Sequence, residues 1–271
     1  MDPQPELSAG PARSRIAALD VLRGVALLGI LVMNLPATAL TEYAFFNPRT
    51  DGGFTGLDYV AWLVSHLLFE LKMMAIFSML FGAGIAMIAE RFALRHRRPG
   101  LVIYRRLFFL LCIGMLHAYL IWWGDILVGY ALVGMMIYPL RHLRPRTLII
   151  LGGLLMLVAI PINVLQGFFF GSMRSAYEAQ QQGLSLQPWQ EGFAEGWPEL
   201  AEGFVPSPQM LQEERDAVLG GYLANIQHRA VDVVFMQTWV FLTWMLWRVS
   251  GLMLLGMALY KLGVVTGRCS T

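Results

Sequence analysis

The string RIAALDVLRGVALLGILVMNL, residues 15–35, decides the class of this chain. It is long and apolar enough to cross a bilayer, yet Asp20 and Arg23 lie inside the run. An ionisable residue at membrane depth costs roughly 2.5–3.5 kcal/mol on insertion scales, so it normally faces a bundle interior or a wet cavity and finds a partner there. At i and i+3 the two charges are neighbours on one helix face and can partner each other. The alternative is that both sit at the membrane boundary, with Arg23 snorkelling to the headgroups.

Composition extends that reading to the whole chain. With 57% hydrophobic and 14% charged residues, several separated apolar runs approach bilayer length. The expected fold class is all-α, a polytopic helical membrane protein of about six transmembrane helices near 19–40, 57–90, 101–122, 125–140, 147–170 and 231–260. The second window is too long for one perpendicular helix. Its first half, LDYVAWLVSHLLFEL (57–71), reads as an amphipathic lead-in or as the top of a long tilted helix. Two short spans meeting at Lys72 would instead require a buried turn without Gly or Pro.

Basic residues set the expected orientation. Thirteen of them, including Arg13, Arg15, Arg91, Arg95, Arg97, Arg141, Arg144, Lys261 and Arg268, flank one side, against Arg49, Arg174, Arg215 and Arg229 on the other. That asymmetry supports six spans with both termini cytoplasmic. Residues 1–14 read as a disordered cytoplasmic tail, 15–170 as a five-helix bundle, 171–230 as an acidic extracytoplasmic cap between helices 5 and 6, and 231–271 as the start of a further domain. Gln180, Gln181 and Gln182 before Gly183 mark a helix end. Arg13, Arg15 and the small residues after Pro36 imitate a secretory signal, but the charged pair interrupts the apolar core and a retained helix is expected. The net charge of +2 is distributed beside the apolar runs, so no nucleic acid partner is implied, only the lipid bilayer. Cys112 and Cys269 form no disulfide framework, and no phosphate loop or HExxH- or CxxC-type metal spacing occurs.

Three polar constellations interrupt the apolar runs. In the first, Asn34 lies some 16 Å along the helix from Arg23, so Asp20, Arg23 and Asn34 cannot form one cluster, and Asn34 is expected to bond a neighbouring helix. In HLLFELK, residues 66–72, His66 and Glu70 stand one turn apart as a base and its orienter, with Lys72 pointing elsewhere; the alternative is an interfacial polar face. The third, GMLHAYLIWWGDILVGYAL (114–132), is the most specific. His117 falls below the interfacial Trp122 and Trp123, and Gly124-Asp125 makes the turn. A neutral His at that depth suits a general base, or a simple helix-to-helix hydrogen bond; Asp125 suits a polar neighbour, or a cap for the next helix.

These strings carry a resemblance. LDVLRGVALLGILVMN (19–34), FELKMMAIFSMLFGAGIAM (69–87), RRLFFLLCIGMLHAYLIWWGDILVGYALVG (105–134) and GLMLLGMALYKLGVV (251–265) resemble the YeiB-like bacterial membrane proteins over nearly the whole chain. That family carries a C-terminal domain of unknown function, and its N-terminal part is similar to transmembrane acyltransferases that include lysosomal heparan glucosaminide acetyltransferase. Its members are usually longer, so the resemblance implies a chain that is incomplete at its C-terminus. It also implies a place in the bacterial inner membrane, and acyl transfer from a cytoplasmic acyl-coenzyme A donor to a cell-envelope glycan or lipid acceptor, with no tightly bound cofactor. On that reading His117 is the base, Asp125 its polar neighbour, and Arg23 with Asp20 the donor-phosphate contact; an oligomer remains open. The rival readings are a transporter or channel using Asp20, Glu70 and His117, and a structural membrane protein without chemistry.

Overall fold

The computed structural model describes residues 17–50, 54–95 and 98–265. The expected disordered tail, the signal-like Arg13 and Arg15, and Arg97, Arg268 and Cys269 lie outside them. Among the described residues every regular element is a helix, without strands. In order come α1 (Ala17–Ala39), the single turn α2 (Tyr43–Phe46), α3 (Gly56–Val64) with a π-helical turn at Ser65–Phe69, α4 (Lys72–Ala93) and α5 (Pro99–Leu120). Then follow α6 (Leu127–Ile137, tightening into 3-10 at Tyr138–His142), α7 (Pro145–Gln181), α8 (Pro188–Glu202), α9 (Pro208–Leu219), α10 (Tyr222–Phe235, continuing through π-helical Met236–Met245) and α11 (Leu246–Lys261).

Five stretches are long and apolar enough to cross a membrane: Leu19–Ala39, Gly56–Ala93, Pro99–Leu120, Pro145–Gln181 and Tyr222–Lys261. Their uncovered faces are apolar. Leu28, Leu31, Phe108, Leu116, Leu165 and Phe168 are all more than half exposed, which only a lipid environment satisfies across so many helices. The protein is an all-α polytopic membrane protein. The expected fourth span, 125–140, is the short one: α6 and its 3-10 turn rise only about 26 Å. Protein covers most of α6, and Val128, Tyr130, Ala131, Val133 and Ile137 are buried while Met136 is exposed. The helix expected over 147–170 runs on to Gln181, where Gly183 (φ 70°) turns the chain, so the acidic segment begins inside a helix.

At the centre stands α11, whose Val249, Met253, Leu254, Met257 and Ala258 are fully enclosed. Small residues allow this. A Cβ on Gly82 would collide with the Met253 backbone carbonyl, and one on Gly256 with that of Met79, so α4 and α11 cross backbone to backbone. Without a hydrophobic driving force between helices in lipid, such close approach supplies the dispersion contact that holds them. Tyr130 of α6 completes this core, its hydroxyl 2.6 Å from Ser78 Oγ, while Ser78 Oγ donates to the Met74 carbonyl at 2.7 Å.

The second long stretch is broken just before Lys72, at a turn without Gly or Pro that the sequence argues against; the break fits an amphipathic lead-in and not one uninterrupted tilted helix. Glu70 is extended (ψ 132°) and Leu71 adopts a left-handed conformation (φ 61°), although neither is Gly or Pro. A left-handed non-Gly residue costs roughly 1–2 kcal/mol. Two side chains offset it: Lys72 Nζ donates to the His66 carbonyl at 2.8 Å, and Arg248 Nη2 of α11 to the Leu71 carbonyl at 3.4 Å. Lys72 therefore folds back onto the break rather than pointing away.

Candidate functional site

The α5–α6 hairpin brings two of the expected residues into direct contact. Gly114 permits it, because a side chain there would meet the Val128 amide, so α5 lies close against the first turn of α6. His117 Nδ1 then stands 2.8 Å from Asp125 Oδ1, while Asp125 Oδ2 accepts the Val128 amide at 2.8 Å. One carboxylate thus does both jobs: it caps the first turn of α6 and holds the imidazole. The Asp125 side chain is 2% exposed and that of His117 31%, so the carboxylate is sealed and the ring is partly exposed. With Nδ1–H donating to Asp125, His117 presents Nε2 as a lone pair.

Beside this dyad lies a cavity of about 180 Å³. Leu111, Met115, Leu132, Phe241 and Met245 line it, with Asp125 and Gln237 as its polar groups. The Gln237 amide nitrogen is buried without an acceptor among the described residues. Phe45 and Phe46 of α2 close the rim against Trp123 at 6.3 Å, and Tyr222 Oη donates to the Leu120 carbonyl at 2.7 Å.

The other expected residues are not gathered here. Arg23 Nη1 pairs with Asp20 at 3.2 Å, and both side chains are at least a third exposed, at the edge of the bundle. Arg23 also approaches Gly84 of α4. The Asn34 side chain makes no hydrogen bond among the described residues; its backbone carbonyl accepts from Thr38. His66 Nδ1 and Glu70 Oε2 do pair, at 2.5 Å, with Trp62 stacked on the imidazole, but beside the helix break. A second cavity, about 730 Å³, opens at the far end of the bundle between Glu90, Arg141, His142, Pro145, Tyr260 and Lys261. Arg23 does not line it.

Sequence reasoning missed Gln237, Arg248 and a buried polar group above α1. There Glu214 Oε1 accepts the Glu42 amide at 2.7 Å, and the Glu42 carboxyl shares a hydrogen bond with Asp232. Burial, then the neighbouring Asp232 and Glu214, push the Glu42 carboxyl up to about 8.

The chain is 31% identical to the uncharacterised protein YeiB of Escherichia coli over 94% of its own length and 58% of that protein's. It is 37% identical to the uncharacterised protein YxaH of Bacillus subtilis over 54% of its length and 38% of that protein's. It therefore spans about half the length of these relatives. No family model and no solved structure matches it.

Proposed function

Because the chain belongs to the YeiB-like family of uncharacterised proteins, its activity must be argued from its own residues, and we propose that it is a membrane-bound acyltransferase-like enzyme centred on His117. The observation that carries this reading is the His117–Asp125 pair at the edge of a small apolar cavity. His117 Nε2 takes the proton from an acceptor hydroxyl or amine as the acceptor attacks the acyl thioester carbonyl. The imidazolium then returns that proton to the departing thiolate. Asp125 keeps the ring in the required tautomer, and the Gln237 amide is the available donor for the developing oxyanion. The cavity, about six times the ~30 Å³ share of one water molecule, admits a short acyl group.

Acyl-coenzyme A is the donor on this reading. Its phosphates are assigned to the far cavity, where Arg141 and Lys261 supply the cations, rather than to Arg23, which Asp20 already neutralises, and its pantetheine arm has to pass the Tyr130–Ser78 contact to bring the thioester to His117. On this reading, which the bias of basic residues supports, that cavity lies on the cytoplasmic side of a bacterial inner membrane, with both termini inside, and the dyad towards a cell-envelope acceptor. The test is turnover of labelled acetyl-coenzyme A by the protein in liposomes, for wild type and His117→Gln. Donor consumption that His117→Gln abolishes supports the reading; no consumption with any envelope acceptor sinks it.

One observation favours a second reading. A helix broken at Glu70–Leu71, flanked by His66, Lys72 and Arg248, is the device by which transporters expose backbone groups to a substrate or ion. In the same liposomes a transporter moves solute down its gradient and leaves acetyl-coenzyme A intact.

A further inference from the structure

Glu42, just before α2, and His228 and Asp232, one turn apart on α10, each bring one potential ligand atom to within 4.8 Å of the other two. The i, i+4 spacing places the imidazole and its carboxylate on the same face of α10, towards the segment that follows α1. Nε2 of His228 is sealed from solvent and has no hydrogen-bond partner among the described residues. A buried polar nitrogen left this way forfeits its hydration for nothing unless something binds it. The Glu42 and Asp232 carboxyls thus stand beside this unpartnered nitrogen. The adjacent Arg229 turns to Asn225 instead of neutralising them. Glu214, 7% exposed, fixes the Glu42 backbone from α9.

We propose that Glu42, His228 and Asp232 form a binding site for a divalent transition cation, zinc being the ion whose chemistry fits best. The donor set is one imidazole and two carboxylates, which leaves the fourth tetrahedral position for water. The imidazole selects against magnesium and calcium, which prefer oxygen alone. In a tetrahedral zinc site the ligand atoms stand roughly 3.3 Å apart, so a contraction of about 1.5 Å, within the reach of these side chains, closes the site. The cation joins the α1–α2 connection to α10. Because Phe45 and Phe46 of α2 lie against Trp123, the clamp also fixes the rim of the His117 cavity. Acyl transfer is not required for any of this.

The test is calorimetric titration of chelator-stripped full chain in nanodiscs with zinc, beside magnesium and calcium. Expected are one zinc per chain at micromolar affinity or tighter, a zinc-dependent rise in Tm, and no response to millimolar magnesium or calcium. His228→Gln and Asp232→Asn should each weaken binding at least 10-fold, while His228→Cys, which keeps a zinc ligand, should retain it. A folded wild type that takes up no zinc overturns the site, as does uptake unchanged in the His228→Gln/Asp232→Asn double variant. Should His228→Gln fail to fold, Glu42→Gln replaces it, and undiminished zinc binding there is equally fatal.

Discussion

The two ends of the bundle are built from different materials. At the His117 end a small apolar cavity is lined by one sealed carboxylate, Asp125, which holds the His117 imidazole, and by one buried amide, Gln237, and aromatic rings close its rim. At the far end the cavity is about four times larger, 730 against 180 Å³, and Arg141 and Lys261 line it with His142, Tyr260 and a single carboxylate, Glu90. Glu90 there is engaged by the Tyr260 hydroxyl at 2.6 Å, and Lys261 Nζ holds the Leu143 carbonyl at 2.6 Å. A small, low-dielectric pocket strengthens each polar contact but holds little; a wide basic mouth attracts anions with little discrimination. On the proposed reading chemistry belongs at the first end and capture of charge at the second. Along α6 the two are separated by Tyr130, whose hydroxyl is tied to Ser78.

The largest effect should come from breaking the first end. His117→Gln keeps much of the volume and a hydrogen-bonding amide but cannot exchange protons near neutral pH, so turnover should fall about 100-fold or more with the fold intact. Wild-type turnover in a stable His117→Gln protein would remove the catalytic assignment. It would leave a helix-to-helix contact worth about 0.6 kcal/mol, the average for such bonds in membranes.

Next comes the core that separates the two ends. Gly256→Leu drives a side chain into the Met79 backbone, and should cost at least the 1–3 kcal/mol typical of overpacking, read as loss of properly assembled protein in membranes. Gly24→Leu, which meets nothing within 4 Å, is the control and should assemble normally. Equal assembly of both would mean that α4 and α11 do not cross as closely as described.

Asp125 sharpens the comparison because it has two separable roles. Asparagine can still accept the Val128 amide but cannot hold an imidazolium, so Asp125→Asn should lower turnover by roughly 10-fold or more while costing little stability. Asp125→Ala should lose both, with a further ~1 kcal/mol from the missing cap, measured by thermal unfolding in detergent. If the two variants lose turnover and stability together, the carboxylate is only a cap.

The smallest effects are expected at the far end and at α1. Lys261→Gln should raise the KM for acyl-coenzyme A several-fold with kcat unchanged, because one phosphate contact of several is removed from a wide mouth. A fall in kcat instead would tie that cavity to the chemistry. Arg23→Lys, at an exposed ion pair, should shift stability by less than ~1 kcal/mol and leave the KM alone. A rise in KM there would return the donor site to α1.

How much of this could be read without coordinates depended on separation along the chain. The all-α membrane class, the Asp20–Arg23 and His66–Glu70 pairs, and the meeting of His117 with Asp125 across a hairpin are local consequences of composition, helical period and a short turn. The acyl-transfer role laid on that dyad rests on resemblance and on the proposal above, since local geometry names no substrate. The break at Leu71 was illegible because its backbone lacks the residues that usually break helices. It is held by Arg248, 177 positions away, and by Lys72 reaching back across it.

What the sequence determined by itself was therefore the medium and the near pairs: apolar runs must sit in lipid, and residues a turn or a hairpin apart must meet. Tertiary structure alone decided that α11 lies at the centre, with Gly256 on Met79 and Gly82 on Met253. It also placed Gln237 in the cavity with Asp125, and Glu42 beside His228 and Asp232. In lipid an apolar residue gains as much facing tails as facing another helix, so hydropathy cannot say which helices touch. Only close-packed backbones and buried polar groups in need of partners select one arrangement, and those partners come from opposite ends of the chain.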